Sequence, residues 1–308
     1  MAPVHALGAL RHACHGCGAC CTGHAVRLIR DEPARIAQYA AQLGVSNPVK
    51  AGPRGPVLAF VDQRCPFLDA SRRCRIHGTF GAQLKPAVCQ QYPLRSIVTE
   101  SGQRVAVDPG CGSNWMVWQD GPELDPSGLL PAPDRTHSHQ EAQVERSLVG
   151  LLAPSLDPDA LARVVGALSG RPPTEASLHA FSERAAAAVR ELALPTLLPK
   201  HAPTLMPWLS SLEVPDAPTW PELTPEQQGF TLEMARRSVF LRSGTIRPMG
   251  VGLALGTVVG ALVCGWSHSE PDAFGPALSA WTRLLRLPPV WMALYPDPMA
   301  VRRLATGA

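Results

Sequence analysis

The stretch "CHGCGACC" at residues 14–21 places four cysteines within eight residues, two of them adjacent. Four small thiols among glycines build no coherent core, so disulfides, a catalytic thiol or a metal must account for them. Cys65, Cys74, Cys89 and Cys111 complete a set of eight within the first 111 residues, and the ninth cysteine, Cys264, stands alone in an apolar run. An odd total closes no complete disulfide framework. The opening "MAPVHALGALRHACHGCG" lacks the basic segment and apolar run of about 7–15 residues that mark a secretory signal. A cytoplasmic, reducing location is therefore expected, and there clustered cysteines serve as metal ligands or catalytic groups.

The order is Cys14-x2-Cys17-x2-Cys20-Cys21, then Cys65-x8-Cys74-x14-Cys89, then Cys111. Thiolates two residues apart wrap one centre because a tight turn brings both sulfurs to one side. Gly16 and Gly18 supply the backbone freedom that wrapping needs. Adjacent Cys20 and Cys21 point apart in most backbone conformations, so they are expected to serve two centres, or one of them to bridge. Eight thiolates are also the complement of two four-thiolate sites, and two centres are expected. The triple Cys-x2-Cys-x2-Cys resembles the opening of a bacterial ferredoxin run, and Cys65-Pro66 its closure, although Cys21 and Cys65 are 44 positions apart. Structural zinc sites come as two separated Cys-x2-Cys knuckles, and one such cluster is present. An iron–sulfur cluster is thus the preferred cofactor and zinc the alternative. All eight, Cys14, Cys17, Cys20, Cys21, Cys65, Cys74, Cys89 and Cys111, are candidate ligands. His15, His24 and His77 stand close enough in sequence to substitute, His77 best of the three. Arg72, Arg73 and Arg75 flank Cys74 and would offset the charge of a thiolate centre; a solvated basic loop accounts for them equally well. Cys264 reads as a small buried hydrophobe.

The remaining pattern predicts a mainly α protein: a small metal-organised N-terminal domain with a short β-hairpin, then a helical domain. The expected boundaries are 1–118 for the cysteine-cluster domain, 119–140 for a Pro-rich linker and 141–308 for the helical domain. "RDEPARIAQYAAQLGV" predicts a helix with Asp31 as N-cap and Gly44 just past its end. A short strand is expected at 56–62, and "RSIVTESGQRVAVD" predicts a hairpin around Ser101-Gly102. Beyond the linker, "EAQVERSLVGLLA", "PDALARVVGALSG", "EASLHAFSERAAAAVRELA" and "TPEQQGFTLEMARRSVFLRSG" carry apolar residues at helical spacing. The uncharged run at 248–266 has Gly252, Gly256 and Gly260 four residues apart. It sits at the lower length limit for spanning a bilayer, and a buried helix whose glycines permit close contact is preferred over a membrane helix.

A net charge of +3 is too mild to argue for nucleic acid. No phosphate loop, dinucleotide fingerprint or radical Cys-x3-Cys-x2-Cys spacing occurs. "CHGCGACC", "CPFLD" and "CRIHGTFGAQLKPAVCQQYPL" together resemble the YkgJ family of cysteine-cluster proteins, described as zinc- or iron-chelating domains, over roughly residues 12–112. The resemblance implies metal binding by the eight cysteines. The same signature occurs in flagellin lysine-N-methylases, which join it to a long helical region and depend on an iron–sulfur cluster. Two functions follow as expectations. One is a metal-binding module with a structural, redox or metal-delivery role, whose helical domain docks a protein partner. The alternative is an iron–sulfur-dependent enzyme that modifies proteins, resembling the lysine-N-methylases. Nothing in residues 120–308 identifies a methyl-donor site, and no catalytic residue is assigned.

Overall fold

The β-branched runs of the first hundred residues form strands, and the Leu- and Ala-rich stretches beyond them form helices. The computed structural model describes residues 3–22, 26–53, 55–201, 205–243, 250–268, 270–297 and 299–308. His24 and the first two positions of the 248–266 run lie outside these residues. The N-terminal part contains β1 (Val4–Ala6), α1 (Glu32–Leu43), β2 (Val49–Gly52), β3 (Gly55–Leu58), α2 (Arg75–Phe80), α3 (Ala87–Gln91), β4 (Leu94–Thr99), β5 (Gly102–Val107) and α4 (Asn114–Val117). Among the described residues ten helices follow: α5 (His139–Leu151), α6 (Ala160–Ser169), α7 (Glu175–Glu191), α8 (Leu194–His201), α9 (Met206–Leu209), α10 (Pro225–Phe240), α11 (Gly250–Ser267), α12 (Pro271–Leu284), α13 (Pro288–Leu294) and α14 (Ala300–Thr306). The protein is about 51% helical, so the mainly α expectation holds, small sheet and hairpin included.

Helix α1 buries Ile36, Tyr39 and Ala40 and ends at Gly44, whose φ of 64° is left-handed, as its sequence predicts. Asp31 occupies the N-cap position, but its side chain makes no capping bond. Strand β3 stops at Leu58, short of residue 62, because Asp62 and Gln63 take positive φ and turn the chain between paired Val61 and Arg64. The β4–β5 hairpin pairs Thr99 with Gly102, so its turn falls on Glu100-Ser101, one residue earlier than the sequence suggests. Strand β1 then adds in parallel to β5, giving the order β1-β5-β4. Residues 119–140 run back along this region: Leu124 N–H donates to Leu10 O at 2.7 Å, and Arg135 N–H donates to Val98 O at 2.8 Å.

The helical part closes around α11, which is buried continuously from Gly252 to Cys264. Its glycines do what their spacing suggests. A Cβ on Gly260 would stand 2.1 Å from Trp281 Cδ1, and Trp281 donates from Nε1 to Gly256 O at 2.8 Å. Helix α10 begins with a capping box between Thr224 and Gln227 and packs along α11. A buried charge network fastens the hairpin to this body: Glu145 on α5 receives Arg104 of β5 at 3.2 Å and Arg242 at 2.7 Å, and Arg242 also reaches Glu100 at 2.9 Å.

Candidate metal centre

The thiols come from four segments, and local bonds fix where each one stands. Gly18, with φ of 71°, turns the chain into a short 3₁₀ turn, Ala19–Cys21. Cys65 N–H then donates to Cys21 O at 2.8 Å, which draws the second segment to the first. From Cys65 the chain loops out and returns: Leu68 N–H donates to Cys65 O, and Asp69 Oδ1 accepts from Arg73 N–H at 2.7 Å. This return puts Cys74 at the N-cap of α2. Cys89 lies on α3, whose start is pinned by a buried carboxylate: Glu32 accepts from Ala87 N–H at 2.6 Å and from Ile29 N–H at 2.8 Å. Cys111 follows β5 and precedes α4, whose Trp115 packs edge-on against Phe230 and Phe274 in the helical core. A buried ion pair, Arg286 with Asp108 at 2.5 Å, holds the same corner.

Cys20 and Cys21 do not diverge. In the 3₁₀ turn, which winds at about three residues per turn, their Sγ atoms lie 3.8 Å apart. Two thiolates on one tetrahedral ion, each about 2.3 Å from it, are separated by about 3.8 Å. The pair therefore already has the spacing of a shared ligand edge. The hydrogen bond between them splits their titration: Cys20 is pulled down to about 7 by Cys21, with Lys85 and Arg283 adding to the effect, while Cys21 is pushed far up. Burial pushes Cys65 up to about 11, with the charges of Cys74 and Cys20 adding to it. Cys89 is raised by burial and then by Cys65 and Cys20. Cys111 is raised to about 12 by burial and by Cys17.

These influences sort the sulfurs. Cys20, Cys21, Cys65, Cys74 and Cys89 form one neighbourhood, and Cys17 and Cys111 a second. Cys20 acts on both. Cys14 is exposed. Among the described residues no three His, Cys, Asp or Glu side chains yet close on a common point at ligating distance. The donor set nevertheless fits a metal. Burial keeps Cys65, Cys89 and Cys111 protonated on their own; deprotonated together they would need a cation, and zinc and iron–sulfur clusters are the ones that soft thiolates select.

Two of the arginines that flank Cys74 have partners of their own. Arg75 donates to Leu43 O and Arg72 stacks 4.7 Å over the Trp208 ring; Lys85 and Arg283 face Cys20 instead. His15 and His77 are exposed. Among the described residues a histidine that reaches a cysteine is His12, absent from the sequence expectation, with Nε2 at 3.8 Å from Cys111 Sγ. Its position two residues before Cys14 was the available signal. Burial, with Arg237 and His15 adding, holds this imidazole neutral, down to about 4.

Residues 13–112 match a family model described as "CxxCxxCC: Putative zinc- or iron-chelating domain". The match falls on the stretch whose motifs resemble that family, so the N-terminal third of the chain is a domain of this kind. It supports metal binding by the cysteine cluster and treats zinc and iron alike. No curated protein and no solved structure matches the chain.

Proposed function

We propose that the chain is a metal-binding protein whose thiols hold an iron–sulfur centre, with zinc as the competing occupant. The centre's first task is to join four loop-borne segments and fasten them to the helical body. The observation that carries this reading is the gathering of Cys20, Cys21, Cys65, Cys74 and Cys89, with the Cys20 and Cys21 sulfurs at the spacing of one ion's ligands. That spacing also bears on the type of cluster. Four thiolates spread over two irons give two per iron, and over four irons one per iron. A two-iron cluster or a zinc ion therefore accommodates the pair, and a cubane does not. The lack of a second Cys-x2-Cys knuckle, which structural zinc sites use, favours iron.

Two centres are proposed, with Cys20 as the shared thiol because its charge is felt by Cys21, Cys65 and Cys89 and also by Cys111. The occupant would supply cross-linking and, if iron, one-electron redox capacity; the chain's part is to bind it and to keep water from buried Cys111. Reduced thiols suit the cytoplasm, where the protein is placed by this reading. The helical body is the part offered to a protein partner.

Purification without oxygen tests the proposal. A brown protein with broad visible absorption and matching iron and sulfide supports it. A colourless protein containing zinc alone reverses the choice of metal, and a protein with neither metal overturns the reading. Incubating the loaded protein with S-adenosylmethionine, a reductant and lysate from its own source tests the enzyme alternative. Methylated lysines that vanish in Cys17→Ser would replace the structural role with a catalytic one.

A further inference from the structure

We infer that His12 is a metal ligand, taking the place beside Cys17, Cys20 and Cys111 that the spacing of the motif offers to Cys14; the inference rests on metal binding by the cysteine cluster as proposed above. His12 lies one residue before the stretch that matches the family model. It is 4% exposed, and its backbone is fixed by donation to Pro122 O at 2.9 Å.

Two independent observations point to a ligand. Nε2 of His12 stands 3.8 Å from the sulfur of buried Cys111. An imidazole nitrogen and a thiolate bound to one tetrahedral ion, at about 2.0 and 2.3 Å, are separated by about 3.6 Å. The observed gap needs to close by a few tenths of an ångström only. In addition, Nδ1 is buried with no hydrogen-bond partner. An unpaired buried polar atom costs roughly 1–3 kcal/mol, so the ring is held here at a cost that packing alone does not repay. Here one nitrogen has no partner and the other meets a sulfur. A cation bound at Nε2 supplies the strong interaction that offsets this burial.

The neighbours complete the set. Cys17 Sγ lies 3.1 Å from where a Cβ on Gly112 would be, and it receives a hydrogen bond from Ser113 Oγ at 3.9 Å. Cys17 is thus held against the residue that follows Cys111. Ala19, the residue before Cys20, lies against the same glycine, its Cβ 3.6 Å from where a Cβ on Gly112 would be. Three thiols and one imidazole make four donors, and Cys20, as the shared thiol, links this set to Cys21, Cys65, Cys74 and Cys89. Cys14 is exposed and is spare in this partition. Mixed thiolate–imidazole coordination is ordinary for zinc and also occurs on one iron of certain two-iron clusters.

The test is X-ray absorption at the zinc and iron edges of the full chain as isolated without oxygen, with metal content measured alongside. The wild-type spectrum is expected to contain the outer-shell scattering of an imidazole ring. His12→Ala is expected to lose that signature and to lower bound metal about twofold, one of two four-coordinate sites being lost. His12→Cys is expected to restore the metal without the signature, and Cys14→Ser to keep both. An all-sulfur first shell in the wild type overturns the inference whatever the variants do. So does Cys14→Ser losing the metal that His12→Ala keeps. A wild-type chain with no metal overturns the proposed function as well, which separates the two failures.

Discussion

Arg283 on α12 donates from Nη1 to the backbone carbonyl of Ala19 at 2.7 Å, and its Nη2 reaches the carbonyl of Thr22 at 2.9 Å. The fork spans the turn that carries Cys20 and Cys21. Gly110 makes room for it: a Cβ there would stand 2.2 Å from Arg283 Cγ. Arg283→Met keeps the stem and removes both donors, leaving two carbonyls unpaired. It is expected to cost about 2–4 kcal/mol in denaturant unfolding, since hydrogen bonds from charged groups contribute roughly 1.5–3 kcal/mol. Metal affinity should fall with it. An unchanged denaturation midpoint would show that the fork does not hold the turn.

The cysteines should separate into ligands and filler. Cys20→Ser, at the shared position, is expected to lower metal content more than Cys21→Ser. Cys264→Ala, deep in α11 and fully buried, should leave metal content untouched and cost about 1 kcal/mol of stability from the small cavity. Elemental analysis of the three purified variants checks this, and equal metal loss in the first two would argue against a bridging Cys20.

Glu100 provides a pH test. Burial would raise its carboxyl, but the hydrogen bond from Arg242 outweighs burial and holds it at about 2, below the ordinary 4.5. A folded-state value below the unfolded one means that the stabilisation is complete above the unfolded value and is lost as pH falls from there toward the folded value. Glu100→Gln should therefore melt below the wild type near neutral pH, with the gap closing on acidification from pH 4.5 toward 2. Metal release in acid affects both proteins alike, so the difference between the melting temperatures is the quantity to read. A gap that persists at the acid end would assign the loss to packing.

Gly260→Ala places a methyl 2.1 Å from the Trp281 ring. That ring is fully buried and tied by Nε1 to Gly256 O, so it cannot swing away without losing the bond. Overpacking of this kind costs about 1–3 kcal/mol. Gly150→Ala, on an open helix face with nothing near its Cβ, should be neutral or stabilising by comparison. Thermal melts of the two variants side by side would expose an error if Gly260→Ala were the more stable.

How much of this is legible in the sequence depends on how local the cause is. Helix α1 can be read to within a few residues because Pro33, the apolar stripe and Gly44 all lie within it. The eight cysteines are legible as candidate ligands from their spacing. The closeness of Cys20 and Cys21 is not, since adjacency predicts divergence and only the 3₁₀ turn brings the sulfurs together. Helix α12 hides behind Pro276, which reads as a breaker. Strand β1 is three exposed residues with no pattern of its own, and it exists because β5 has a free edge. The charge on Cys20 is not legible from nearness alone: part of it is Lys85, in the same domain, and part is Arg283, which arrives on α12.

The distance along the chain between Ala19 and Arg283 also sets a schedule. The two residues are 264 positions apart. At a synthesis rate of roughly 5–20 residues per second, the first thiols leave the ribosome roughly 13–50 s before the arginine that will clasp their turn. During that interval the nascent segment is an open chelator, exposed to whatever metal or oxidant the surroundings hold. The order of synthesis thus makes ion loading and docking separable events, since the thiols are available to an ion before the last helices exist to close over them.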